Sequence, residues 1–221
     1  MSRFFRFFVL AASTGLLACP AALAIPAVHA HGGPHAIASS STSSAPALQS
    51  ALRSLWHGHV VHTREYALAV HAGDQASADA AAEAVVANAI QISDAVAGFY
   101  GDAGGERMLE LLGGHWGAVK ALTDAGQAGN TASRNKAIAD LTANAGAIAT
   151  FLAAANPNLP EDAVRGLLVA HGGHHIQQVQ QVMAGDMAGE AATWAAMQAH
   201  MDVIADALAL AIALQFPDKA A

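Results

Sequence analysis

Apolar residues recur every three or four positions through the chain from about residue 49 onward, which is the spacing of one face of an α-helix. Alanine, the strongest helix former, is abundant in the same stretch. We expect no strands there, because the alternation of apolar and polar residues that predicts them is missing. The pattern predicts an all-α fold with six helices, near residues 49–72, 75–99, 103–127, 131–155, 161–184 and 187–215.

An internal repeat is indicated by His59, His115 and His171, which lie 56 residues apart. The same shift relates three Ala-Gly-Asx triplets, at residues 72–74, 128–130 and 184–186. Glycine can end a helix in the left-handed conformation, and Asp or Asn can cap the next helix. The spacing therefore predicts three tandem αα-hairpins, as units 49–104, 105–160 and 161–216. One hairpin cannot bury its apolar stripe alone, so the three are expected to share a core, as a closed six-helix bundle or a short helical solenoid.

The first 30 residues have the pattern of a secretory signal peptide. Arg3 and Arg6 precede an apolar run that is too short for a membrane span, and small residues follow. Cleavage after Ala24 or after Ala30 would fit the small-x-small rule. We therefore expect an exported protein of the periplasm or cell envelope, with no membrane span.

A second interpretation of the same segment is a lipobox ending at Cys19, which would give the mature protein a lipid anchor. Residues 31–48 are rich in Ser and Ala, a composition typical of a flexible linker. The folded domain is then expected to cover residues 49–219.

Composition limits the partners and the metal ligands that the protein can have. The chain has 10 Lys and Arg against 17 Asp and Glu, a formal net charge of −7, which argues against nucleic acid as a partner. Its single cysteine, Cys19, lies in the predicted leader, so the mature domain has no thiolate ligand and no covalent haem attachment. A bound metal ion must be held by imidazole, carboxylate or thioether groups.

Each hairpin carries a polar pair on its apolar stripe. If the hairpin turns lie at the Gly-Asx positions, three pairs face each other across the hairpins: His59 with Asn88, His115 with Asn144, and His171 with His200. A buried imidazole without a partner costs about 1–3 kcal/mol, and an asparagine amide would satisfy it. The two His–Asn pairs are therefore interpreted as structural rungs of the core.

The third hairpin predicts a metal site. His171, His174 and His175 share one helix face, and hairpin geometry sets His200 and Met197 opposite them. Imidazole with thioether is a ligand mixture that suits copper, whereas zinc prefers more imidazole or carboxylate. The sequence therefore predicts a transition-metal site in this hairpin, with copper preferred to zinc.

His57 and His62, which lie near His59, are secondary metal candidates. Two alternatives remain open: a metal-free structural or binding module whose histidines are architectural, and a bundle that binds haem noncovalently. The motifs His-Glu-x-x-His and Gly-x-Ser-x-Gly and a phosphate-binding Gly loop are missing from the sequence. A non-enzymatic protein is therefore expected.

Several short stretches carry a resemblance to other proteins: Leu55-Trp56 with His59-Val60, Asn144-Ala145 with Ile148-Ala149, Asn156-Pro157-Asn158, and Gln215-Phe216-Pro217-Asp218-Lys219. With these, residues 52–219 resemble a family of exported bacterial helical proteins that has no established function. The resemblance implies fold and export. The family pattern has Trp, Leu and Thr where this chain has His62, His174 and His175, so those histidines are either a specialisation or incidental.

Overall fold

A computed structural model describes residues 45–220. This part of the chain forms seven helices and no strand: α1 Pro46–Ala72, α2 Gln75–Tyr100, α3 Asp102–Gln127, α4 Thr131–Ala155, α5 Glu161–Ala184, α6 Met187–Gln215 and α7 Pro217–Ala220. The all-α prediction is confirmed. Helix α1 starts inside the segment expected to be linker, and the short α7 was not predicted. The predicted signal peptide and the rest of the linker lie outside the described residues.

The turn inside each hairpin is built from a glycine and a capping residue. Gly73, Gly129 and Gly185 have positive φ angles of 72°, 64° and 71°, which side chains with a Cβ rarely adopt. The next residues, Asp74, Asn130 and Asp186, accept a hydrogen bond from the backbone N–H three residues on, at 3.0, 3.0 and 2.9 Å. The turns lie at the positions that the repeat assigns to them, while the repeat itself stays a prediction.

The connections between hairpins use different chemistry. Gly101, with φ 79° and ψ 171°, joins α2 to α3. Before α5 the buried Asn156 orders the chain, because its Oδ1 accepts from the backbone N–H of Asn158 at 2.9 Å and its amide donates to the Tyr100 hydroxyl at 2.9 Å. Both short connections reverse the chain, so successive helices are antiparallel neighbours.

The helices close into a ring. Each of the six long helices packs on the next, and α6 returns to pack on α1. In addition α1, α3 and α5 contact one another. Of the two arrangements that the sequence left open, the structure therefore has the closed bundle, with α1, α3 and α5 running in the same direction through its middle.

The core is layered along these three central helices. A large apolar layer includes Trp56, Leu112 and Leu168. A smaller apolar cluster farther along includes Leu122 and Val179. The repeated histidines fall between these layers in the sequence of each central helix, so the fold places a band of imidazoles inside an otherwise apolar interior.

Two helices, Thr131–Ala155 and Met187–Gln215, are long and apolar enough to cross a membrane by length and composition. Of their most apolar 18-residue windows, 33% and 50% is buried inside the bundle. Core helices of soluble proteins pass the same test, so this finding alone is weak evidence for a span.

Candidate metal centre

The four side chains of the centre come from three helices: His59 from α1, His115 from α3, and His171 and His175 from α5. Each lies on the apolar stripe that turns its helix toward the middle of the bundle. Their exposed fractions are only 2%, 5%, 3% and 1%. Each offers one ring nitrogen such that all four nitrogens lie within 4.8 Å of one another. The cluster could therefore hold a metal ion.

The spacing within the cluster is near that of a metal site. His171 and His175 are one helical turn apart, with their Nε2 atoms at 3.1 Å. The ring of His115 lies 5.4 Å from that of His171, and the ring of His59 lies 5.4 Å from that of His115, centroid to centroid. A tetrahedral ion with metal–nitrogen bonds of about 2.0–2.1 Å needs its ligand nitrogens about 3.3 Å apart. All four nitrogens lie within 4.8 Å of one another, so binding an ion would require them to approach by up to about 1.5 Å.

Hydrogen bonding inside the cluster is incomplete. Both ring nitrogens of His59, Nε2 of His115 and Nδ1 of His171 are buried with no hydrogen-bond partner among the described residues. Buried polar atoms are nearly always paired, and each unpaired one costs on the order of 1–3 kcal/mol. These nitrogens therefore have lone pairs or protons available for a ligand.

Burial keeps the four imidazoles neutral. Desolvation is the main cause that lowers the pKa of His59 to about 3, with further lowering by the nearby His115 and His62. Burial likewise lowers the pKa of His115 to about 4, opposed by the nearby side-chain amide of Asn144. The pKa values of His171 and His175 also lie well below the usual range, for the same main reason. Neutral imidazole is the form that binds a metal, so no proton has to leave at neutral pH.

A small cavity adjoins the cluster. Its volume is about 30 Å³, and His59, His115 and His171 line it together with apolar side chains such as Leu112 and Leu168. That volume can hold a water molecule or a single ion. Pockets for small organic ligands run to about 300–1,000 Å³. The space beside the histidines thus suits an ion and does not fit haem.

Three predicted ligands lie outside the buried cluster. His174 and His200 are half-buried and form a pair of their own, with ring centroids 5.4 Å apart. Met197 is fully buried within the main apolar core of the bundle. Of the residues predicted for the metal site, His171 and His175 are in the buried cluster.

The predicted rungs are paired differently in the structure. The side chains of Asn88, Asn144 and His200 donate to the main-chain carbonyls of Leu55, Leu111 and Leu167, at 3.0, 2.9 and 2.9 Å. Each carbonyl belongs to the residue four positions before the repeated histidine. Glycine permits this approach in the first two hairpins, because a Cβ on Gly58 or Gly114 would lie 2.9 or 3.0 Å from the asparagine Nδ2. The facing residues thus fix the hairpins mainly through the backbone, and the imidazoles stay available.

The secondary candidates have carboxylate partners. His57 Nε2 donates to Asp202 Oδ1 at 2.9 Å, and His62 Nδ1 donates to Glu65 Oε2 at 2.9 Å. Both side chains are partly exposed. Neither belongs to the buried cluster.

The sequence interpretation kept the three repeated histidines in separate hairpins, whereas the structure brings them together. The signal was present in their common spacing. In a closed ring, equivalent positions on α1, α3 and α5 converge on the middle, and the solenoid alternative would have separated them. His175 has no histidine counterpart, since Val119 and Thr63 occupy the equivalent positions.

Comparison of the chain with protein-family models, curated proteins and solved structures finds no match. The family resemblance of the sequence therefore stays a prediction, and the site must be interpreted from its own geometry.

Proposed function

We propose that this protein binds one transition-metal ion in the buried cluster of His59, His115, His171 and His175. One observation carries the proposal: four neutral imidazoles lie with their ligand atoms within 4.8 Å, and several of their nitrogens lack a hydrogen-bond partner. A purely architectural cluster would be expected to satisfy those nitrogens within the protein.

Copper is the preferred ion, with zinc second. Imidazole suits both metals, and Met197, whose thioether favoured copper in the sequence, lies outside the cluster, so the preference rests on charge. The buried cluster holds no carboxylate, so the ion's charge is not neutralised by its ligands. The cost of burying a charge rises with the square of that charge, which favours monovalent copper over a divalent ion. Burial of all four side chains also favours an ion that needs no bound water.

The proposed role is metal handling or stress tolerance in the cell envelope, without catalysis. The signal-peptide pattern of residues 1–30 supports export. The small cavity of about 30 Å³ supports binding over catalysis, because it leaves no room for an organic substrate beside an ion.

Equilibrium dialysis of the purified mature protein against cuprous copper, under anaerobic conditions, and against zinc tests the proposal. The informative variant is His175→Val, because valine occupies the equivalent position 119 and is buried there. The control is His71→Ala, an exposed histidine in the last turn of α1.

We expect one ion per chain in the wild type and the control, and a loss of at least about tenfold in affinity in His175→Val. The proposal would be rejected if the wild-type protein bound no metal at micromolar ion concentrations. That result would support the metal-free alternative instead, in which a water molecule in the cavity and the His171–His175 hydrogen bond satisfy the cluster.

A further inference from the structure

The second imidazole pair, His174 and His200, lies at the boundary between the buried cluster and the surface. The two rings are 5.4 Å apart and both side chains are half-buried. His174 directly precedes His175, and it is one helical turn from His171. The pair therefore sits beside the buried cluster, where α5 packs on α6.

The chemistry of His200 leaves one nitrogen free for a ligand. Its Nε2 lies 2.9 Å from the carbonyl oxygen of Leu167, so this nitrogen must carry the proton and donate. Its Nδ1 then has a lone pair. The ring of His174 lies 5.4 Å from that of His200, so a second imidazole is available beside this nitrogen.

A metal ion that moves from solution into the buried cluster needs such ligands along its path. The four-histidine cluster lies among apolar layers, and an ion that loses its water there without replacement ligands meets a large desolvation cost. The outer pair adjoins the inner cluster along α5, since His174 directly precedes His175 and His200 of α6 lies beside His174, with ring centroids 5.4 Å apart. The imidazoles of His200 and His174 thus lie between the surface and the buried cluster.

We propose that His174 and His200 form a transfer site that captures the metal ion and passes it to the buried cluster. This inference rests on the proposed function. A transfer site lowers the free-energy barrier for movement of the ion between solution and the buried cluster. It takes no part in the free state of the ion or in its final bound state. Its removal should therefore slow uptake and release by the same factor and leave the equilibrium affinity unchanged.

The chain itself supplies the substitutions for a test. His200→Gln keeps a donor for the Leu167 carbonyl, because its amide nitrogen has about the reach of the imidazole Nε2. Asparagine fills this role at positions 88 and 144 only beside Gly58 and Gly114, whereas Ala170 occupies the equivalent position here. His174→Ala copies Ala118, the equivalent residue of the second hairpin, which is buried without a ligand group. The double variant removes both imidazoles with little change to the packing.

Two other histidines serve as comparisons. His62 lies close enough to His59 to lower its pKa, and it marks a possible approach from the α1 side, but its Nδ1 is bonded to Glu65. His71 is exposed and lies 12 residues from His59, about 18 Å along the axis of α1. Variants His62→Ala and His71→Ala should load at the wild-type rate.

Stopped-flow transfer of cuprous copper from a chromogenic chelator to the mature protein, and its return to excess chelator, gives both rates. The expected result for the double variant is a slowing of roughly tenfold or more in each direction, with stoichiometry and affinity as in the wild type.

Unchanged rates in the double variant would overturn the transfer site, as would slowing in His62→Ala alone. Loss of affinity with normal rates of uptake would make the pair part of the final site and overturn it as well. Failure of the wild-type protein to take metal at equilibrium is a separate outcome that removes the proposed function and, with it, this inference.

Discussion

Two buried polar groups lie close together along α5, and they differ in how completely they are paired. Glu190 of α6 is 1% exposed and accepts hydrogen bonds from Arg64 Nε and Nη2, at 2.6 and 2.8 Å, and from Gln178 Nε2, at 2.9 Å. The imidazole cluster includes His175, which lies three residues before Gln178 on α5. Four ring nitrogens of this cluster have no hydrogen-bond partner among the described residues.

The difference separates a structural group from a candidate binding group. The Arg64–Glu190–Gln178 network ties α1, α5 and α6 together and is complete within the protein. Such a network stabilises one arrangement of helices and leaves no capacity for a ligand. The cluster has the same burial without the pairing, which is the expected state of a site whose remaining partner is an ion.

Acid should affect the cluster most strongly. Burial lowers the pKa values of His59 and His115 to about 3 and about 4, whereas in the unfolded chain both lie near 6.5. The unfolded state therefore binds more protons as the pH falls below about 6.5, and stability decreases from there toward pH 4. Each such histidine contributes a slope of up to about 1.4 kcal/mol per pH unit. Urea unfolding of the metal-free protein between pH 8 and pH 5 measures this slope.

The matched variant for that measurement is His175→Val. Its unfolding at low pH should take up about one proton fewer than that of the wild type, so its stability should change less steeply with pH. The control is His71→Ala, which removes an exposed histidine outside the cluster. A wild-type slope equal to that of His175→Val would contradict the neutral, buried state assigned to the cluster.

Breaking the paired network should have the next largest effect. Glu190→Gln removes the negative charge that faces Arg64, whose side chain is 29% exposed. Removing one partner of a fully buried ion pair costs about 3–5 kcal/mol, and partial exposure of the arginine reduces that cost to about 2–3 kcal/mol. Chemical denaturation measures the loss, and metal affinity should stay within about twofold of the wild type.

The surface pair Arg107–Glu110 provides the comparison, since its side chains are 45% and 70% exposed. Glu110→Gln should cost less than about 1 kcal/mol. Equal costs for Glu110→Gln and Glu190→Gln would show that the buried network does not stabilise the bundle as described.

A smaller loss is expected at the backbone bridge of the second hairpin. Asn144→Ala removes the hydrogen bond to the Leu111 carbonyl and should cost about 1 kcal/mol. Thermal unfolding of the metal-free protein measures it. Complete loss of metal binding in this variant would contradict the account in which Asn144 bonds only to the main-chain carbonyl. It would mean that Asn144 acts directly on the imidazoles.

The smallest change should follow His200→Gln. Its amide can donate to the Leu167 carbonyl as the asparagine amides do to the equivalent carbonyls of the other two hairpins, so the metal-free variant should unfold within about 0.5 kcal/mol of the wild type. Chemical denaturation at pH 8 measures the difference. A loss above about 1.5 kcal/mol would mean that the imidazole of His200 has a structural role that an amide cannot take.

Much of the fold follows from local sequence chemistry. The Gly-Asx turns at Gly73 and Gly185 and the apolar spacing of the helices placed all six long helices to within three residues at either end. The start of α1 at Pro46 was harder to predict, because the Ser-rich segment before it carries no apolar periodicity, although proline is well suited to the first turn of a helix.

The site was less predictable because it depends on how hairpins meet. Spacing on α5 was enough to bring His171 and His175 together, since residues four apart share a helix face. Joining them to His59 and His115 required the closure of α6 on α1, which no local pattern encodes. Hairpin geometry placed His200 opposite the correct part of α5, while its bond to a main-chain carbonyl depends on side-chain rotamers.

The central claim is that four buried imidazoles bind one metal ion. A crystal structure of the metal-loaded protein, with anomalous data collected at the absorption edge of the bound metal, tests it most directly. The account predicts one anomalous peak about 2.0–2.1 Å from a ring nitrogen of His59, His115, His171 and His175. A peak elsewhere, for example at the sulfur of Met197, or no peak in protein soaked with copper and zinc, would contradict it.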